Sequence, residues 1–217
     1  MRALIFAAGR GSRMRELTET TPKPLLKVRG KALIVWQIEA LAAAGICEMV
    51  VNLSWLGAQI RAALGDGSAL GVRLRYSDEG TDALETGGGM LAALPLLGAE
   101  PYIAVNADIY SDYDYRKLPR IPIGLAHLVL VDNPIQHPNG DFVLGEHGRL
   151  LPTSGPRLTF AGIGVYRPEL VALQPPGVFA LAPLLRAAIA EGQISGEHHR
   201  GQWTDVGTPE RLAQLNS

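Results

Sequence analysis

Two glycines, an arginine and a lysine framed by prolines follow the first apolar run of the chain. In AAGRGSRMRELTETTPKP, from Ala7 to Pro24, Gly9 and Gly11 allow tight turns and let backbone N–H groups approach phosphate oxygens. Arg13 adds a guanidinium fork and Lys23 a point charge. Pro22 and Pro24 restrict the backbone on both sides of Lys23, which reads as a lysine on a surface loop. A loop this long, rich in donors and poor in apolar side chains, exceeds what a turn requires and suits an anion. No Gly-Lys-Ser/Thr follows, so it is not a Walker A loop. It is not a dinucleotide fingerprint either, because Met14 stands where the third glycine belongs.

Two carboxylates complement these cations. Asp108 follows an apolar strand in VNAD, and Asp205 lies in WTDVGTPE. A carboxylate at a strand end can hold Mg²⁺, which takes one or two carboxylates and fills its shell with water and substrate phosphates. Either Asp taken alone reads equally well as a turn residue or a helix cap. Beyond Asp205, Thr208 is the natural cap and Pro209 the first helical residue, so Asp205 is spare for another task. The pair His198-His199 sits among Gly, Glu and Arg without a third ligand in pattern and reads as a solvated loop. Trp36 and Trp55 read as packing residues, and Trp203 either orients Asp205 or packs in the core.

The elements that must position these groups alternate. Ala3–Ala7 reads as a buried strand, and Ala32–Ala44 as an amphipathic helix stopped by Gly45. Glu48–Asn52 is a second strand, with Ser54 capping a helix that runs through Leu64. Val72–Tyr76 alternates apolar with basic residues, which suits an edge strand. Gly87–Leu94 reads as a short helix ended by Pro95, and Tyr102–Asn106 as another buried strand. This order predicts βαβ units and a mostly parallel sheet, with ligands beyond the strand carboxyl ends. The opening loop, Asp108 and the ETGGG stretch all fall at such ends. After Asp112 the alternation weakens: His127–Asp132, Phe142–Leu144 and Phe160–Tyr166 read as strands of a smaller, partly antiparallel lobe. Phe179–Glu191 and Pro209–Leu215 read as closing helices.

Composition narrows the class. The 217 residues, 47% hydrophobic, can bury one substantial core, so one domain is expected, with about 1–111 and 112–217 as its two parts. No apolar run approaches the ~20 residues of a membrane span, and no secretory leader is evident; a cytoplasmic protein is expected. Cys47, the single cysteine, allows no disulfide framework or thiolate cluster and reads as a small buried residue. The net charge of −1 disfavours a general nucleic-acid binder. Yet Met1–Lys31 carries eight basic side chains against Glu16 and Glu19, a net +6 that suits a small polyanion such as a nucleotide.

GRGSRM, TPKP, VNAD and WTDVGT, in this order and separation, resemble the sugar-1-phosphate nucleotidyltransferases, and the similarity runs over essentially the whole chain. LETGGG, HPNGDF and FAGIGVYRPEL most resemble the N-acetylmuramate α-1-phosphate uridylyltransferases. The resemblance implies a Rossmann-like nucleotidyltransferase fold, Mg²⁺ dependence, and UTP with a sugar 1-phosphate as substrates. It places Ala8, Gly9, Arg10, Gly11, Ser12 and Arg13 on the nucleotide and Lys23 on its α-phosphate, with Arg13 and Lys23 acting in catalysis. Gly87 and Gly88 would line the base and ribose, and Asp108 and Asp205 would bind the metal. Asn106 would face the sugar; Asp141, directly after the Asn139-Gly140 turn and so at the mouth of the antiparallel lobe, reads either as a sugar contact or as plain turn chemistry. Three departures stand out: Glu16 replaces the usual Pro, Ala107 the usual Gly, and the Glu–Lys pair of thymidylyl and guanylyl relatives is not evident around Thr159–Gly162. Up to Ser217 there is no room for a β-helix acyltransferase domain. Mannose or glucose 1-phosphate with GTP or dTTP is the rival substrate pair, and a silent nucleotide-sugar sensor the rival class. Oligomeric state is not legible.

Overall fold

The computed structural model describes residues 1–81 and 83–217. Its first half alternates as the sequence predicts: β1 (Ala3–Phe6), α1 (Leu33–Ala43), β2 (Glu48–Leu53), α2 (Gly57–Leu64), β3 (Arg73–Asp78), α3 (Glu85–Leu97) and β4 (Tyr102–Asn106). The second half adds β5 (Ile109–Ser111), β6 (Ala126–Val131), β7 (Thr159–Tyr166), α4 (Leu181–Ala190), β8 (Ile194–His198), β9 (Trp203–Asp205) and α5 (Pro209–Asn216). Seven strands form one sheet in the order β8-β6-β7-β4-β1-β2-β3. Only β7 runs antiparallel to its neighbours β4 and β6; every other pairing is parallel.

Burial follows the two-residue period of the strands. In β1, Ala3 and Ile5 join α1 and α2 in one core, while Leu4 points into a second core with α3 and α4. In β4, Ile103 and Val105 divide from Tyr102 and Ala104 in the same way. Helices therefore cover both faces, as a parallel sheet requires. Each fully buried Leu or Ile contributes about 1.5–3 kcal/mol, so the sheet's centre is the rigid frame for its carboxyl edge. β3 is the half-exposed edge strand that its alternation suggests.

Several expectations need correction. The helix after Ser54 begins at Gly57; the Ser54 hydroxyl instead donates to Gly80 O at 2.9 Å. Pro95 lies within α3 rather than ending it, in the last turn, where buried Met90, Ala93 and Leu97 hold the helix. Much of the expected antiparallel lobe is continuous with the main sheet through β6 and β7. Of Phe142–Leu144 only Val143–Leu144 is a strand, paired antiparallel with Leu150–Leu151. β8, to which the sequence reading gave no element, is a parallel edge strand. Cys47 is exposed. His198 and His199 are not a solvated pair: they are largely covered, and their Nε2 atoms lie 2.9 Å from Asp132 and 2.8 Å from Asp112. No helix of the described residues is long and apolar enough to cross a membrane.

Candidate active site

The opening loop leaves β1 at the carboxyl edge and is tied down at once. Ala7 N–H donates to Asn52 Oδ1 at 2.7 Å, joining the loop to β2. Asn52 also donates to Glu79 Oε1, and Glu79 Oε2 accepts Leu84 N–H at 2.7 Å, so one buried network joins the loop, two strands and the start of α3. Burial pushes the Glu79 carboxyl up from its ordinary value. Gly89 is the helix position that makes room, since a Cβ there would lie 2.4 Å from Glu79 Oε1. The sequence reading missed this network; its one signal was a polar Asn inside the apolar stretch EMVVNL.

Gly11 adopts the left-handed conformation (φ +67°) and heads a single 3-10 turn over Ser12–Met14. Met14, at the place of the missing third glycine, is fully buried with Leu26, Val28, Leu33 and Val206 and anchors the loop. Gly9, Arg10, Ser12 and Arg13 are exposed along it, while Ala8 is buried. The Arg10 guanidinium stacks 4.3 Å from the Trp55 ring, and Trp55 Nε1 donates to Thr18 O. Lys23 departs from expectation: it is only 7% exposed and its ammonium pairs with Asp108.

Asp108 and Asp205 are brought side by side. β9 pairs antiparallel with β5, placing Asp205 opposite Ile109, and Val206 N–H donates to Asp108 O at 2.8 Å. Asp205 is held by Arg211 and by Gln136 Nε2, 2.9 Å from Oδ1. Thr208 caps α5, as its sequence predicts, and carries Arg211 to this position. Trp203 both packs against the core and donates from Nε1 to Ala161 O at 2.9 Å, fixing β9 against β7. Among the described residues no cluster of three His, Cys, Asp or Glu side chains makes a ready metal cage. Asp108 lines an open cavity, and Asp205 stands on the neighbouring strand; hard carboxylate oxygens of this kind fit Mg²⁺, which keeps places for phosphate and water oxygens.

Two cavities meet at this edge. One, of about 170 Å³, opens over Gly9, Lys23 and Asp108; the other, of about 190 Å³, opens over Thr86, Asp141, Gly162 and Arg186. Phe6 and Asn106 line both. Gly162 (φ +74°) sits in a bulge of β7, and a Cβ there would lie 2.6 Å from Asn106 Nδ2, so only glycine allows this approach. Asp141 lines the second cavity while its Oδ2 accepts Phe160 N–H at 2.8 Å and its Oδ1 lies 3.0 Å from His137 Nε2. Gly87 and Gly88 are buried against the preceding segment of α4. Both amides donate to Phe179 O, and a Cβ on Gly88 would lie 2.2 Å from Gly177 O. Thr86, their neighbour, is the residue of that stretch that faces the second cavity.

A cationic loop, paired carboxylates and two joined cavities suit the joining of two anions. Residues 2–131 match the family model described as nucleotidyl transferase. The chain is 48% identical to an N-acetylmuramate alpha-1-phosphate uridylyltransferase of Neisseria meningitidis, covering 100% of this chain and 97% of that one. It is 34% identical to a protein of the same description from Caulobacter vibrioides, over 96% and 92% of the two chains. Among solved structures, HddC of Yersinia pseudotuberculosis complexed with GMP-PN superimposes with a TM-score of 0.81 over 99% of this chain and 97% of that one, at 19% identity, which speaks for the fold alone. Over its full length, this chain belongs to the nucleotidyl transferase family.

Proposed function

We propose that this enzyme transfers a uridylyl group from UTP to N-acetylmuramic acid α-1-phosphate, releasing pyrophosphate and the UDP-sugar. The observation that carries the reading is the junction of the two cavities at Phe6 and Asn106, with Lys23 and Asp108 on one side and Asp141 on the other. The uridylyl and N-acetylmuramate assignments rest on the likeness to relatives of that description. In this reading residues of about 1–111 serve the nucleotide, and those of about 112–217 supply most of the sugar side.

The sugar phosphate is itself the nucleophile, so the site needs no strong base. It must bring two anions together and hold them in line, work done by positioning and fixed charge. Exposed N–H groups from Gly9 to Arg13 receive the phosphates, and Arg13 adds its charge. Lys23 turns from Asp108 to the α-phosphate, where charge grows as the bond to pyrophosphate breaks. Asp108 and Asp205 would hold Mg²⁺, which would supply further neutralisation of that charge. Asn106 lies where the two substrates meet, and Asp141 accepts hydrogen bonds from the sugar hydroxyls or its amide.

A matrix of nucleoside triphosphates against sugar 1-phosphates, scored by pyrophosphate release with and without Mg²⁺, tests the proposal. UTP with N-acetylmuramic acid 1-phosphate is expected to be fastest. A faster mannose or glucose 1-phosphate reaction would overturn the substrate assignment, and no pyrophosphate from any pair would leave a sensor.

A further inference from the structure

Beyond the acceptor cavity lies a third, of about 210 Å³, and it shares Asp141, Phe142 and Arg186 with the acceptor cavity. Its wall has two characters. Val143, Leu151 and Ile189 make an apolar side, while Arg157 and Arg186 bring two guanidinium groups from different parts of the chain. Among the described residues neither guanidinium has a hydrogen bond or an ion pair, although Asp141 lines the same cavity. The other carboxylates near the site are taken: Asp108 by Lys23, and Asp205 by Arg211 and Gln136. Two unpaired forks beside a small apolar wall are suited to a carboxylate that carries a short alkyl group.

We propose that Arg157 and Arg186 form the subsite for a carboxylate substituent on the acceptor sugar, and that this subsite sets the enzyme's choice of sugar. The inference rests on the function proposed above, because N-acetylmuramic acid differs from N-acetylglucosamine by one lactyl ether: a methyl group and a carboxylate. The sugar ring occupies the cavity over Asn106 and Gly162. The lactyl group then passes Phe142 into the adjoining cavity, its methyl toward Val143, Leu151 and Ile189 and its carboxylate toward the two arginines. Asp141, between the cavities, repels a carboxylate that would stop short, so the group is directed past it.

Both arginines are exposed, so Arg157→Gln and Arg186→Gln are expected to fold normally. The experiment measures kcat/KM for N-acetylmuramic acid 1-phosphate and for N-acetylglucosamine 1-phosphate in wild type, each variant and the double variant, with KM for UTP as the internal reference. Each single variant is expected to lower the preference for the carboxylated sugar about tenfold, the lower end for a hydrogen bond to a charged group. Calorimetric binding of UDP-N-acetylmuramic acid against UDP-N-acetylglucosamine gives the same ratio without turnover. Wild-type turnover of N-acetylmuramic acid 1-phosphate with an unchanged ratio in the variants, or an equal loss on both sugars, would overturn this inference alone. No wild-type turnover of that sugar would overturn the functional proposal and this inference with it.

Discussion

On the loop side of Asn106 the charges are held by exchangeable partners; on the far side Asn133 and Asp141 are locked into the backbone. Lys23 rests on Asp108, Arg211 on Asp205 and Arg10 on a Trp55 face, all contacts that a triphosphate or a cation can replace. Across the site, Asn133 Nδ2 donates to Pro138 O and Arg157 O, its Oδ1 accepts the Thr159 hydroxyl, and Asp141 holds Phe160 N–H. In the proposed reaction a highly charged donor would be met by ion-pair exchange, whereas the sugar ring would be met by preset shape. The first arrangement changes rate when altered; the second changes acceptor affinity and fold.

The sharpest break falls on the metal side. Asp108→Asn and Asp205→Asn keep shape but lose charge, and each is expected to remove divalent-cation-dependent turnover by about 10³-fold or more. Mn²⁺ titration of the purified variants should show weakened binding; unchanged binding with a lower melting temperature would make the residue structural. Lys23→Ala is expected to lower kcat by ~10²–10³. Its melting temperature should fall by no more than about 4 °C, roughly 1 kcal/mol at this chain length. Unfolding before loss of rate would make the Lys23–Asp108 pair a fold element and erase the contrast. Asp141→Ala should raise KM for the sugar phosphate about tenfold, leave KM for UTP near wild type, and cost about 1–3 kcal/mol by orphaning Phe160 N–H. Equal effects on both KM values would leave Asp141 as turn chemistry.

The smallest effect lies outside the site. Glu197 is held below its ordinary range, first by the His127 imidazole, whose Nε2 lies 3.8 Å from Oε2, and also by the hydrogen bond that the Tyr113 hydroxyl donates to it. A depressed folded value means the contribution is present above the unfolded carboxylate value, about 4.3, and disappears as pH falls through the lower folded one. Glu197→Gln should therefore melt below wild type at pH 7, and the gap should close in the acid range. A constant gap across pH would assign the loss to packing.

What could be read from the sequence depended on how far apart the partners lie. β1, β4, α1 and the capped start of α5 carry their signals locally, in period and punctuation, and appear within a residue or two of expectation. Asn52 and Glu79 meet only because β2 and β3 pair in parallel, a register that no local pattern encodes. β8 reads ISGEH, too polar for a strand until β6 covers it and Tyr113 and Asp132 take up Glu197 and His198. Lys23 looked exposed because a lysine between prolines resembles a loop tip; its burial depends on Asp108, 85 positions away. The glycine, lysine and aspartate motifs themselves were visible because they are clustered in short runs. Arg157 and Arg186 were not, being single residues in ordinary contexts.

β7 runs against the rest of the sheet, so its first residues, not its last, reach the edge where β1 and β4 end. The excursion between Val131 and Thr159 therefore leaves and returns at that same edge, beside the cavity over Asp141, and it reaches Asp205 through Gln136. Insertions, deletions or substitutions along it can re-line the acceptor side while the strands that frame the opening loop keep their register. Grafting this excursion between related chains, with Gln136 retained, would thus exchange the Arg157 part of the acceptor side, while Arg186 stays with α4.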